Sequence, residues 1–278
     1  MARIALAAHA ARPRAVQVAR DTAAWLEAEG HTAVLLPEVA PGPVPPRSLP
    51  EIDLLVSLGG DGTMLRTVGM VLGAGVPVLG VNFGSFGYLT AAEPDGLRQA
   101  VKRFLAGDYQ LERRMTVDAR LLGPGGHLRM ARTALNDVVL SRPTGQHTVS
   151  ASVSISGQRF LSYAADALIV ATATGSTGYN LSARGPIVSP KLGCLVVTPV
   201  APHMLFDRSL VLDRSDEVSF ELEGTAAAEL VVDGVACGQL VAGEALVCRT
   251  GVHDAVLVNF GERRFETVLK AKFQLADR

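Results

Sequence analysis

Cysteine is scarce: Cys194, Cys237 and Cys248 are the only three in 278 residues. They are odd in number, sit in apolar stretches and form no CxxC pair. A disulfide scaffold and a zinc finger are therefore disfavoured, and a reducing, cytoplasmic setting is expected. Net charge is also missing. Lysine and arginine total 26 against 27 aspartates and glutamates, so no overall positive field draws in nucleic acid or an anionic membrane. Neither is expected as a partner, and an anionic ligand has to be met by local groups. Lysine itself is rare, with only Lys102, Lys191, Lys270 and Lys272, and arginine carries the remaining basic charge. Aromatics make up 5% of the chain while glycine and proline number 28 and 15, which describes a core of small aliphatics joined by many tight turns.

Long apolar segments are few. Residues 67–92 hold no charge, but their six glycines, Pro77 and Asn82 suit strand, turn and loop better than a lipid-facing helix. The N-terminal MARIALAAHAARPR has the outline of a short signal peptide, yet Arg12, Pro13 and Arg14 follow its apolar stretch at once. A first buried strand fits it better.

The first part of the chain alternates strand-like and helix-like segments. Residues 3–8 read as a strand, and 15–29 carry apolar residues at helical spacing and stop at Gly30. Residues 31–36 read as a second strand, and the proline-rich 37–50 as a surface loop. The apolar run 52–58 before Gly59-Gly60 looks like a strand buried on both faces. A helix over 64–72, a strand over 76–81 and a helix over 97–105 closed by Gly107 continue the alternation. Together they predict an α/β N-terminal domain with a parallel, doubly wound sheet.

Near residue 110 the period changes. Residues 148–156 alternate apolar with Ser or Thr, with Gly157-Gln158 expected as a turn; Val218, Phe220 and Leu222 alternate likewise, and 230–232 run into Asp233-Gly234, a hairpin signal. The second domain is therefore expected to be β-rich and mostly antiparallel. Residues 264–275 regain helical character. The expected division is 1–110, completed by 258–278, and 111–257.

Two constellations carry chemistry. In Gly59-Gly60-Asp61-Gly62-Thr63 a buried strand runs into a glycine loop and then a helix. Missing Cβ atoms let backbone N–H groups approach a phosphate, and the helix N-terminus adds positive potential. The loop is neither a P-loop nor a GxGxxG. A carboxylate in such a loop repels phosphate unless it binds Mg²⁺ or takes a proton from an attacking hydroxyl, which makes Asp61 the leading catalytic candidate. The plainer alternative is Asp61 as the helix N-cap. Arg66, one turn on, can steady a phosphate or simply be solvated.

The second constellation begins at Asn136-Asp137, which can address a purine edge and ribose hydroxyls or simply form an Asx turn. Asp166 stands in an apolar context, where it needs a specific donor. The run TATGSTGYNLS over 172–182 offers hydroxyls to a polyhydroxylated ligand and one tyrosine ring to a base.

Taken in order, GGDGTML (59–65), GVNFGSFGYL (80–89), LNDVV (135–139), DALIVATATGSTGYNLSARGPIV (166–188), PVAPHMLFDRSLV (199–211) and VVDG (231–234) resemble the NAD kinase family. GGDGT alone is shared with lipid kinases; the TGST block is far more specific. The resemblance implies transfer of the γ-phosphoryl group of ATP, with polyphosphate as a second candidate donor, to the 2′-hydroxyl of the adenosine ribose of NAD⁺. It implies Mg²⁺ or another divalent cation held mainly by the donor's phosphates, a β-sandwich second domain, and a homodimer or homotetramer. It assigns Asp61 as the base, with Gly59, Gly60, Gly62, Thr63 and Arg66 beside the phosphate path. Asn136 and Asp137 contact adenosine, Asp166 faces the second nucleoside, and Ala201 lies at the pocket edge. Thr174, Thr177, Gly178, Tyr179, Asn180 and Ser182 line the dinucleotide site, from the same chain or a neighbouring subunit, and His147 takes a place often held by Arg. The chain departs from the usual pattern at Asp137, Ala167, Ala173, Gly178 and Val235. The alternatives are a lipid kinase sharing GGDGT and a dinucleotide-binding regulator without turnover.

Overall fold

The computed structural model describes residues 1–37, 39, 51–84, 87–145, 147–262 and 264–275. In chain order the elements begin β1 (Arg3–Ala8), α1 (Pro13–Ala28), β2 (Thr32–Leu35), β3 (Leu54–Gly59), α2 (Asp61–Val71), β4 (Val78–Asn82), α3 (Leu97–Leu105) and β5 (Gln110–Arg114). They continue with β6 (Val117–Leu122), β7 (Leu128–Ala134), β8 (Asp137–Ser141), β9 (Val149–Ile155), β10 (Gln158–Ala165), β11 (Ala167–Thr172) and α4 (Tyr179–Ser182). The last are β12 (Cys194–Val200), β13 (Leu210–Asp213), β14 (Glu217–Leu222), β15 (Ala228–Val232), β16 (Val235–Leu240), β17 (Ala245–Thr250), β18 (Ala255–Asn259) and α5 (Phe265–Phe273). The chain divides into two compact units, Met1–Arg113 with Ala255–Arg278, and Arg114–Asp254.

In the first unit a six-stranded sheet has the order β2-β1-β3-β4-β18-β5, with β2, β1, β3, β4 and β18 parallel. Apolar runs such as LLVSLG in β3 are buried at every position, as expected of a strand covered on both faces. The chain leaves β1 in one direction to β2 and returns in the other to β3, so the strand order reverses between β1 and β3. Open α/β sheets bind ligands at such a reversal, outside the carboxyl ends of the strands. Here those ends are His9, Gly59 and Asn82, joined by N–H donation from His9 to the Leu58 carbonyl (2.9 Å) and from Phe83 to the Gly59 carbonyl (2.7 Å).

The second unit holds two six-stranded sheets, β10-β9-β14-β17-β6-β7 and β13-β12-β11-β8-β15-β16, antiparallel in the pairings described. Alternate residues of both, among them Val153, Phe220, Leu168 and Leu230, share one core, which makes a sandwich. β11 is buried on its other face as well, because Ala173 and Val188 of the following segment pack with Ile169, Ala171 and Val196. The α/β and antiparallel β architecture matches the expected fold class.

Element ends differ from the sequence reading for local reasons. α1 starts at Pro13, whose fixed φ suits the first helical position. α2 starts at Asp61, three residues before the expected Met64, because Gly60 takes the cap and Gly62 stays helical. The expected Gly157-Gln158 turn is displaced by one, since Ser156 and Gly157 hold the positive φ values (49° and 80°) and Gln158 already belongs to β10. Asp233 and Gly234, at φ of 47° and 75°, make the expected β15–β16 hairpin turn. The proline-rich loop over 37–50 lies, apart from Pro37 and Val39, outside the described residues. Among the described residues no helix is long and apolar enough to cross a membrane; residues 67–92 instead supply the end of α2 and all of β4.

Leu58 of β3 is fully buried directly before the glycine loop. Leu58→Ala should cost about 2–5 kcal/mol of stability, seen as a lower denaturation midpoint; an unchanged midpoint would mean this strand is not core.

Candidate functional site

Asp61 opens α2 as its first helical residue, and no side chain caps that helix. The N-cap alternative therefore falls: Gly60, in extended conformation, is the cap. The Asp61 carboxylate turns instead to the segment after β4. Its Oδ2 accepts the Tyr88 N–H at 2.9 Å and its Oδ1 accepts the Leu89 N–H at 3.1 Å. A carboxylate has about four acceptor sites, so lone pairs remain for a further donor. Gly87 makes the approach possible, because a Cβ there would collide with Asp61 Oδ1. Gly59 is constrained in the same way by the Thr63 side chain. Thr63 is buried with its Oγ1 unpartnered, and the buried Arg66 Nε is likewise without a hydrogen-bond partner among the described residues. Gly62 is exposed, with open space where a side chain would stand. Gly59, Gly60, Asp61, Gly62, Thr63 and Arg66 thus lie along one strand end and the first turns of one helix.

In the second unit Asn136 and Asp137 are held by a residue that sequence reasoning treated only as a turn former. The Asp233 carboxylate accepts N–H bonds from Leu135 (2.8 Å), Asn136 (2.8 Å) and Asp137 (3.1 Å), and its own N–H donates to the Asp137 carbonyl at 2.9 Å. A hairpin Asp-Gly is too common a signal to reveal this role. Thr172 closes the other side, its N–H donating to the Asn136 carbonyl (2.9 Å) and its hydroxyl to the Leu135 carbonyl (2.6 Å). Gly175 packs so closely that a Cβ would overlap the Asn136 carbonyl, while at Gly178 it would stand 3.3 Å from Asn136 Nδ2 and 3.5 Å from Asp137 Oδ2. That second spacing is tight but open enough for a methyl once neighbours shift slightly. Asn136 Oδ1 is buried and unpartnered, the kind of atom that asks for a ligand donor. Burial, followed by the nearby Asp233 carboxylate, pushes Asp137 up to about 7 against an N–H bond from Tyr179.

The neighbouring residues divide by role. Tyr179 and Ser182 are exposed, so the tyrosine ring is available to a base. Thr174 is buried, and its carbonyl accepts the Thr177 hydroxyl at 3.2 Å. Asn180 is fully buried: its Nδ2 donates to the Ser176 and Pro186 carbonyls (3.0 Å each) and its Oδ1 accepts from the Thr198 hydroxyl at 2.7 Å. It shapes the loop and offers no free amide to a ligand.

Asp166 finds the donor its context demanded, accepting from Arg142 Nε at 2.9 Å. It precedes β11, however, whereas Thr174 follows it. The six residues of β11 therefore separate Asp166 from the Asn136-Asp137 turn by roughly 20 Å. Ala201, exposed and at φ 45°, follows β12 at the Asp166 end, and the exposed His147 lies in the loop leaving β8 at that same end. The second unit thus holds two groups of candidate residues.

A glycine loop with a fixed carboxylate at the reversal of a parallel sheet, followed by a β-sandwich with a polar Asn-Asp turn, is the arrangement of a phosphotransferase. The chain matches the ATP-NAD kinase N-terminal domain over residues 48–109 and the ATP-NAD kinase C-terminal domain over residues 135–260. It is 38% identical over 270 residues to a NAD kinase of Heliobacterium modesticaldum, covering 95% of each chain. It superposes on the crystal structure of yeast NADH kinase complexed with NADH with a TM-score of 0.86 at 22% identity, over 100% of this chain and 89% of that one. The structure of a NAD kinase from Archaeoglobus fulgidus in complex with ATP superposes with a TM-score of 0.77 at 25% identity, over 99% and 100%. The chain belongs to the NAD kinase family.

Asp137 yields a pH test. Its native pKa, about 7, lies above its ordinary 3.8. In that window the unfolded chain has lost the proton and the native chain keeps it, so this group costs the native state more as pH rises. Asp137→Asn removes the cost, and its melting temperature relative to wild type should climb between about pH 4 and about pH 7 and level off above that; a pH-independent difference would contradict the buried acid.

Proposed function

We propose that this chain phosphorylates NAD⁺ on the 2′-hydroxyl of its adenosine ribose, with ATP as donor. The observation that carries the reading is the Asp61 carboxylate, held by two backbone N–H groups at the end of β3 with acceptor capacity to spare. In the proposed step Asp61 accepts the 2′-hydroxyl proton. The ribose oxygen forms the new bond to the γ-phosphorus, and the bond from that phosphorus to the β–γ bridging oxygen breaks to release ADP. Phosphoryl transfer needs mainly positioning and charge neutralisation, which glycine-loop amides, the α2 N-terminus and Arg66 supply. Asn136 and Asp137 receive adenosine, with the Asn136 Oδ1 acceptor free for an exocyclic amine.

Among the described residues no cluster of three His, Cys, Asp or Glu is arranged to hold a metal. A divalent cation such as Mg²⁺, carried by donor phosphates and water, would neutralise charge on the transferring group. The separation of Asp166, Ala201 and His147 from Asn136 and Asp137 along β11 favours a homo-oligomer in which a neighbouring chain completes the dinucleotide contacts. The lipid-kinase alternative is not favoured, since the relatives across the whole chain are NAD kinases.

Purified protein with ATP, Mg²⁺ and NAD⁺ should form NADP⁺; none above an enzyme-free control, together with phosphorylation of a lipid, would overturn the proposal. Asp61→Asn should lower kcat by about 10²–10⁴-fold with NAD⁺ affinity largely kept, and an unchanged kcat would remove Asp61 from the role of base.

A further inference from the structure

The loop between β11 and β12 is tied shut by two buried side chains. Ser176 is fully buried, and its hydroxyl donates to the Val188 carbonyl at 3.2 Å while accepting the Val188 N–H at 3.0 Å. Asn180 makes the second tie, its Nδ2 donating to the Ser176 and Pro186 carbonyls at 3.0 Å each. Gly185 donates its N–H to the Asn180 carbonyl at 2.8 Å and has no Cβ to collide with Asn180 Oδ1. Both Nδ2 hydrogens are thus used inside the loop, and Oδ1 binds outside it.

That oxygen accepts the hydroxyl of Thr198, on β12, at 2.7 Å. A hydroxyl has one proton to give. With the Thr198 proton on Asn180, the 2.8 Å bond between Thr198 Oγ1 and Ser209 Oγ runs from Ser209 to Thr198. The bonds form a one-way relay: Ser209, just before β13, donates to Thr198, Thr198 to Asn180, and Asn180 to two loop carbonyls. Thr198 and Asn180 are buried, so a broken link leaves a polar atom that water cannot satisfy. The inner end of the relay meets the Asn136-Asp137 turn. Tyr179, next to Asn180, donates its N–H to Asp137, and a Cβ on Gly178 would stand 3.3 Å from Asn136 Nδ2. Where Asn180 sits therefore decides where Gly178 and Tyr179 sit against that turn.

We infer that Thr198, backed by Ser209, is a positioning residue for the dinucleotide, acting through Asn180 on the loop that borders the adenosine site. The inference deepens the kinase reading and rests on it for the identity of the ligand. Thr198 is buried and touches no ligand itself. Its effect falls on binding, because the Asp61 carboxylate belongs to the other unit and is anchored by Tyr88 and Leu89.

The test is calorimetric titration of the full chain with NAD⁺, without ATP. Folded Thr198→Val should bind NAD⁺ about tenfold more weakly than wild type, the loss expected when a buried hydrogen bond is broken and its acceptor is left unpaired. Thr198→Ser restores the hydroxyl and should return the affinity to within about threefold of wild type. In steady state the KM for NAD⁺ of Thr198→Val should rise with its Kd, while kcat and the KM for ATP stay within about twofold of wild type. A threonine that only stabilised the fold would lower the melting temperature and leave the NAD⁺ affinity of the folded protein unchanged, which would overturn the inference. A fall in kcat without a rise in the KM for NAD⁺ would overturn it too. Where Thr198→Val does not fold, Ser209→Ala at the half-buried outer end decides: about threefold weaker NAD⁺ binding supports the relay, and wild-type affinity overturns it. A wild type that binds NAD⁺ but makes no NADP⁺ would sink the proposed reaction and leave the relay standing, whereas one that binds no NAD⁺ would overturn both.

Discussion

The Asp61 carboxylate is fixed by two amide hydrogens, those of Tyr88 and Leu89. Much of the first unit can be understood from that constraint. A carboxylate in a glycine loop proposed to receive phosphate is electrostatically misplaced unless something holds it and something uses it. Holding it requires the segment after β4 to come close, and Gly87 permits the approach. Gly59 lets Thr63 pack beneath the loop, and Gly60, in extended conformation, holds the cap position of α2. The parallel sheet brings these pieces together, because its strand order reverses where β1 and β3 present their carboxyl ends.

The second unit uses the same device in another form. One buried carboxylate, Asp233, gathers three consecutive amides and so sets the course of the chain through Asn136 and Asp137. Burial raises the Asp233 pKa while those three bonds oppose the shift. The strained positive φ of Asp233 is tolerated because the hairpin turn and the three bonds hold it together. Gly175 then lets the hydroxyl-rich segment close against the same turn. In each unit a carboxylate and a nearby glycine fix the local backbone.

The fold class was legible in the sequence because it depends on periodicity. Unbroken apolar runs such as 52–58 and the alternation over 148–156 are direct consequences of two-sided and one-sided burial. The family resemblance rested on ordered motifs that local chemistry alone could not rank. What the sequence could not show were contacts between residues far apart in the chain. Asp233 looked like a turn former, and its hold on residues 135–137 depends on β8 and β15 pairing. The amides of Tyr88 and Leu89 carry no side-chain signal. Asn180 looked like a ligand group in TGSTGYNLS, yet its amide is consumed internally. Arg12 read as a break in an apolar stretch, and its bond to the Phe83 carbonyl past β4 appears only once β1 and β4 share a sheet.

The central claim is that the placement of the Asp61 carboxylate, and not merely its presence, sets the rate of phosphoryl transfer. Gly87→Ala tests it most directly, because it leaves Asp61 in the chain and puts a methyl group in collision with Oδ1. With folding verified by thermal melting and NAD⁺ affinity measured separately, kcat should fall by about 10-fold to 100-fold, the cost of roughly an ångström of misplacement. A folded Gly87→Ala protein with wild-type kcat would contradict the account.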